Sequence, residues 1–157
     1  MTERNKAIPA AYLVLEKEGK ILLARRCNTG YQDGNYQVPA GHVEAGELPS
    51  EALIREAKEE VDIDLSPGDF TLVHISYRPK HDSTDNRVDF FFKATHWSGE
   101  VQNMEPDKCD DFKWVLPGEL PENTVPHMKD AIECIQKGIF YKELDLAFLK
   151  AQGVYLL

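Results

Sequence analysis

Three glutamates, Glu56, Glu59 and Glu60, stand within five positions of one another. On a helix at about 100° per residue they share one arc, because Glu60 lies four residues and Glu59 three residues beyond Glu56. Like charges so spaced cost about a few tenths of a kcal/mol per pair. A solvated face would place lysine or arginine among them, whereas Arg55 and Lys58 fall elsewhere on the wheel. Such a cluster can hold a hard divalent cation. Mg²⁺ prefers oxygen and usually takes one or two carboxylates together with substrate phosphate and water. The helix alone leaves a plain solvent-facing acidic surface open as the alternative.

The helix that must carry these acids is predicted from Pro49 to Val61. Pro49 suits a first turn, where a missing N–H costs nothing, and Leu53, Ile54, Ala57 and Val61 form a core-facing stripe beside the glutamates. Ala7–Glu16 and Ile21–Arg25 read as a hairpin turning at Glu18-Gly19. Residues 27–35, rich in Gly, Asn and Asp, read as a loop, and Tyr36–Pro39 as a short extended approach to Ala40-Gly41. Further strands are predicted at Phe70–Tyr77, Arg87–Trp97 and Phe112–Leu116, with a polar loop from His81 to Asn86. A second helix from Pro126 to Lys137 stops at Gly138. The tail from Tyr141 to Leu157 fits helix and strand equally. Strands mixed with two helices imply an α/β layered fold in one domain, residues 1–157.

A net charge of −9 over 157 residues argues against nonspecific binding to a nucleic acid backbone, yet it should also repel a phosphate substrate. A cation held by clustered carboxylates would invert the local charge. No apolar run spans a membrane and no leader is evident. Three cysteines without CxxC spacing suggest a reducing, cytoplasmic setting, with neither disulfides nor zinc.

The residues before the helix complete a pattern. Gly41-His42-Val43-Glu44-Ala45-Gly46-Glu47 leads, after seven residues, into Arg55-Glu56-Ala57-Lys58-Glu59-Glu60-Val61-Asp62-Ile63. This resembles the box of the Nudix (MutT-like) hydrolases: Gly, five residues, Glu, seven residues, Arg-Glu, an aliphatic, any residue, Glu-Glu, any residue, Gly, an aliphatic. All six glycine or charged positions from Gly41 to Glu60 match. The segments Leu22–Arg26 and Tyr36–Ala40 are similar to the family too. Asp62 departs, standing where the family usually has glycine, but aspartate tolerates the positive φ such a helix end needs.

The resemblance implies an α/β/α sandwich around a mixed sheet and cleavage of a diphosphate bond in a nucleoside diphosphate derivative with Mg²⁺, Mn²⁺ being the alternative. It implies Glu56, Glu60 and the Ala40 carbonyl as metal ligands, with Glu59 bound directly or through water, and Gly41, Glu47 and Arg55 as structural support. Catalytic candidates are Glu59, Glu60 and, from a later loop, Glu105, with Asp110, Asp111 and Glu100 behind it. Arg25 or Arg26 would face phosphate, strand alternation allowing only one of them easily. Tyr36, with Tyr31 and Tyr77, is a candidate to stack on the nucleobase, against a packing role that also fits all three and Trp97 and Trp114. The five histidines, His42, His74, His81, His96 and His127, lack metal-type spacing.

A nucleoside triphosphate, ordinary or oxidised, giving the monophosphate and pyrophosphate, is the first expectation. Sugar nucleotides, dinucleoside polyphosphates and RNA 5′ ends stay open, as does a homodimer. The rivals are a nucleotide-sensing module without catalysis, which usually lacks some of the box acids, and a diphosphate isomerase needing thiols such as Cys27 or Cys109.

Overall fold

The computed structural model describes residues 2–80 and 85–151. His81 and the tail beyond Ala151 lie outside the described residues. Strand β1 (Ala7–Lys17) turns through Glu18 and Gly19, with φ of 54° and 77°, into β2 (Lys20–Arg26). This is the two-residue hairpin that the right-handed twist of paired strands favours. Short strands β3 (Tyr36–Gln37) and β4 (Ala40–His42) lead to helix α1 (Pro49–Val61). Then follow a 3₁₀ turn (Pro67–Asp69), β5 (Phe70–Arg78), β6 (Asn86–Ala94), β7 (Cys109–Val115) and α2 (Pro126–Gln136). The described residues end with β8 (Tyr141–Glu143) and α3 (Leu146–Ala151). The described part of the tail, ambiguous in sequence, holds one of each.

The strands form a mixed sheet ordered β3-β2-β1-β6-β5-β8, with β4 also on β1 and β7 on β2. β1 runs parallel to β6 and antiparallel to β4 at Ala10–Tyr12 before it reaches β2 at Glu16 and Lys17. Because β1 is covered on both faces it reads as an unbroken apolar run. Its alternation splits the core: Ala10, Tyr12 and Val14 pack with Met128, Ala131 and Ile132 of α2, while Ala11, Leu13 and Leu15 pack with Ala52, Leu53, Ala57 and Val61 of α1. Helix, sheet, helix is the expected α/β sandwich.

Two boundaries differ from expectation by three residues, the others among the predicted strands and helices by at most one. β6 stops at Ala94, short of Trp97, because its partner begins at Phe70, which pairs with Ala94. β7 starts at Cys109, earlier than Phe112, because β2 extends to Arg26 opposite Cys109. A buried ion pair was not foreseen. Arg78 donates from Nε to Asp89 at 2.6 Å, with side chains 5% and 0% exposed. No helix among the described residues is long and apolar enough to cross a membrane.

Candidate active site

Helix α1 carries the acids because its ends are fixed. Glu51 accepts the Leu48 N–H at 2.8 Å, and Pro49 opens the first turn. At the other end Asp62 adopts φ 59° and ψ 35°, the left-handed conformation its place in the pattern requires, and its carboxylate meets Lys58 at 3.1 Å. The terminal carbonyls, orphaned in any helix, are taken by a distant loop: Gln102 N–H donates to Val61 at 3.0 Å and Met104 N–H to Glu60 at 3.1 Å. The same bonds carry Glu105 to the acid cluster.

The loop before α1 is braced by Arg55. Its Nε and Nη2 meet the two oxygens of Glu47 at 2.8 and 3.0 Å, and Nη2 also donates to the His42 carbonyl at 3.0 Å. Glu47 further accepts the Glu44 N–H at 3.0 Å. The Arg55 guanidinium, with that amide, lowers the Glu47 carboxyl to about 2. Arg55 was expected to lie apart from the acids. Instead its Nη1 reaches Glu56 Oε1 at 2.6 Å and Glu59 at 3.4 Å, because the long side chain folds back across the helix.

Gly41 has a steric reason. A Cβ there would sit 2.0 Å from Glu56 Oε1, so the missing side chain is the space in which the Glu56 carboxylate lies over β4. Glu60 accepts the Ala40 N–H at 3.2 Å. Burial pushes the Glu60 carboxyl up to about 8, with the charges of Glu56 and Glu105 adding to the shift. Burial raises Glu56 too, against the opposing Arg55. Glu59, with a side chain 54% exposed, stands at the rim. Among the described residues no three acidic, histidine or cysteine side chains already close on one point. Glu56 leans on Arg55 and Glu60 on a backbone amide.

A cleft of about 580 Å³ opens over this cluster, lined by Ala40, Glu56, Glu59, Glu60 and Glu105 on one side. Arg25 and Arg26 both line it, although alternation should turn one away. A register shift between them breaks the alternation. Neither is idle: Arg25 meets Asp110 at 2.6 Å, and Arg26 donates to the Tyr31 carbonyl at 2.6 Å and Thr29 Oγ1 at 3.0 Å. Tyr36 does not join them. It is packed in the core with its hydroxyl donating to Asp111 at 2.5 Å. Glu100 lines a separate groove with Trp97 and Trp114. Asn28, Thr29, Gln37 and Asn103 also stand on the cleft wall, polar residues whose only signal in the sequence is their closeness to the named candidates. Cys109 lines the cleft, but burial raises its thiol and that of Cys27, keeping both protonated at neutral pH.

The family model for the NUDIX domain matches residues 6–134 of this chain. The chain belongs to the NUDIX family. It is 30% identical over 102 residues to the 8-oxo-dGTP diphosphatase of Proteus vulgaris, covering 64% of this chain and 87% of that enzyme. It is 32% identical over 99 residues to the ADP-ribose pyrophosphatase of Methanocaldococcus jannaschii, covering 63% and 57%. Among solved structures, a MutT NUDIX hydrolase from Burkholderia pseudomallei superposes with a TM-score of 0.74 at 25% identity, over 82% of this chain and 98% of that one. The protein is thus a Nudix hydrolase of nucleoside diphosphate derivatives, a class of enzyme that works with a divalent cation.

Proposed function

We propose that this Nudix hydrolase cleaves a nucleoside triphosphate, ordinary or oxidised, to the monophosphate and pyrophosphate with Mg²⁺. The observation that carries the reading is the pair of half-buried carboxylates, Glu56 and Glu60, raised in pKa and facing a cleft that also holds Arg25 and Arg26. Acid groups kept from water without a full complement of cationic partners favour a cation, and oxygen-only donors favour a hard one. Glu56, Glu60 and the Ala40 carbonyl would hold it, with Glu59 joining from the rim. When bound, Mg²⁺ supplies positive charge to the phosphate oxygens and acidifies water. Mn²⁺ suits the same donors.

The remaining work falls to the chain. Arg55 and Glu47 hold the loop rigid against α1, and Gly41 leaves Glu56 its room. Arg25 and Arg26 orient phosphate oxygens at the cleft wall, exchanging their present partners Asp110 and Tyr31 for the ligand. Glu105, across from Glu60 and free of Arg55, takes the proton of the attacking water, with Glu59 and Glu60 as the other basic groups in reach. A positioned base contributes roughly 10²–10⁴-fold in rate. The cleft volume lies in the range of about 300–1,000 Å³ that small-molecule sites occupy. The 8-oxo-dGTP diphosphatase likeness favours the triphosphate. All box acids are in place, against a sensing module.

The test is a panel of nucleoside triphosphates, 8-oxo-dGTP, ADP-ribose, a dinucleoside polyphosphate and 5′-triphosphate RNA, with Mg²⁺ and product masses. A triphosphate turned over fastest, with pyrophosphate released, is the expected result. Fastest turnover of ADP-ribose or RNA overturns the substrate, and no hydrolysis of any compound overturns the activity.

A further inference from the structure

The loop between β6 and β7 has to bring one acid, Glu105, to a helix nearly fifty residues earlier in the chain. Its two bonds to the carbonyls of Glu60 and Val61 fix where the loop crosses α1, but both involve residues before Glu105. On its N–H side Glu105 itself is held by the side chain of Asn103. Asn103 Oδ1 accepts the Glu105 N–H at 3.1 Å, and Asn103 Nδ2 donates to the Cys109 carbonyl at 2.7 Å. The Glu105 carbonyl accepts the N–H groups of Lys108 and Cys109, each at 2.9 Å. One amide therefore ties the residue that faces the acid cluster to the first residue of β7.

Only asparagine or aspartate reaches its own chain two residues on in this way, with serine and threonine doing so more weakly. Only an amide adds a donor for the second bond. Hydrophobic burial does not explain the residue, because Asn103 is half-buried on the cleft wall between an exposed Gln102 and an exposed Met104.

We propose that Asn103 is a positioning residue that holds Glu105 against Glu56 and Glu60 in the cleft. This rests on the catalytic reading of Glu105 above. Three variants of the full chain form a double-mutant cycle with the unaltered protein: Asn103→Ala, Glu105→Gln and the double variant, assayed with Mg²⁺ and the preferred triphosphate. Glu105→Gln lowers kcat by about 10²-fold or more. Asn103→Ala lowers kcat by roughly tenfold with little change in KM, and adds less than about twofold once Glu105 is already glutamine. Penalties that multiply in the double variant overturn the proposal, because Asn103 then acts by some other route.

Asn103→Ser, whose hydroxyl accepts the same N–H, recovers part of the alanine loss, and recovery no better than alanine counts against the proposal. A second readout needs no turnover. Amide hydrogen exchange at Glu105 accelerates at least about tenfold in Asn103→Ala while the α1 amides keep their protection, and unchanged exchange at Glu105 overturns the proposal. Full activity in Glu105→Gln removes the proposal and leaves the hydrolase reading intact. An inactive unaltered protein removes that reading, and the exchange result still decides whether Asn103 holds the loop.

Discussion

The Glu60 carboxyl, pushed from 4.5 up to about 8 by burial and by its acidic neighbours, makes cation binding a competition with a proton. At pH 6 a group of that pKa is about 1% ionised and at pH 8 about half ionised, so the apparent affinity for Mg²⁺ should rise on the order of fifty-fold between them. The metal-free fold responds in the opposite direction. The folded state raises the pKa and favours the protonated form. Its contribution is therefore complete below 4.5 and lost as pH climbs through 8, at up to about 1.4 kcal/mol per pH unit in between. Isothermal titration with Mg²⁺ at pH 6, 7 and 8 reads the first effect, and thermal unfolding with and without Mg²⁺ reads both. The rise in Tm on adding Mg²⁺ should widen steadily with pH, and Glu60→Gln should flatten it. Equal affinity at pH 6 and pH 8 in the unaltered protein would refute the reasoning, because Glu60 would then bind no cation or carry no raised pKa.

Gly41→Ala places a Cβ on the Glu56 carboxylate, which must swing away while the backbone stays. Mg²⁺-dependent kcat should fall about 10²-fold with Tm lowered by only a few degrees; activity within twofold of the unaltered protein contradicts the steric account. Asp89→Ala strands the Arg78 guanidinium in the core. It should cost about 3–5 kcal/mol by urea unfolding, and a loss under 1 kcal/mol means the pair is solvated in solution.

Local rules made much of this legible. The proline at the start of α1 and the apolar stripe placed its bounds at Pro49 and Val61, and the tolerance of aspartate for positive φ anticipated Asp62. The pattern of glycine and acids pointed to the cluster, although not to the sharing of Glu56 with Arg55, which depends on how one long side chain folds. What sequence could not supply came from pairing at long range. The register shift that turns both Arg25 and Arg26 to the cleft exists only because β7 lies against β2. The acids Asp110 and Asp111 looked like loop residues until Arg25 and Tyr36 gave them partners across the strands. Glu105 could be named as a candidate, but its approach to Glu60 needs the loop that caps α1. The Arg78–Asp89 pair joins two strands that show no charge pattern along either one.

The most direct measurement of the central claim is Mg²⁺-dependent release of pyrophosphate by Glu60→Gln beside the unaltered protein, with folding checked by circular dichroism. The account predicts an unchanged spectrum and turnover reduced at least about 10³-fold at saturating Mg²⁺. A folded Glu60→Gln that retains turnover within a few-fold of the original would contradict it.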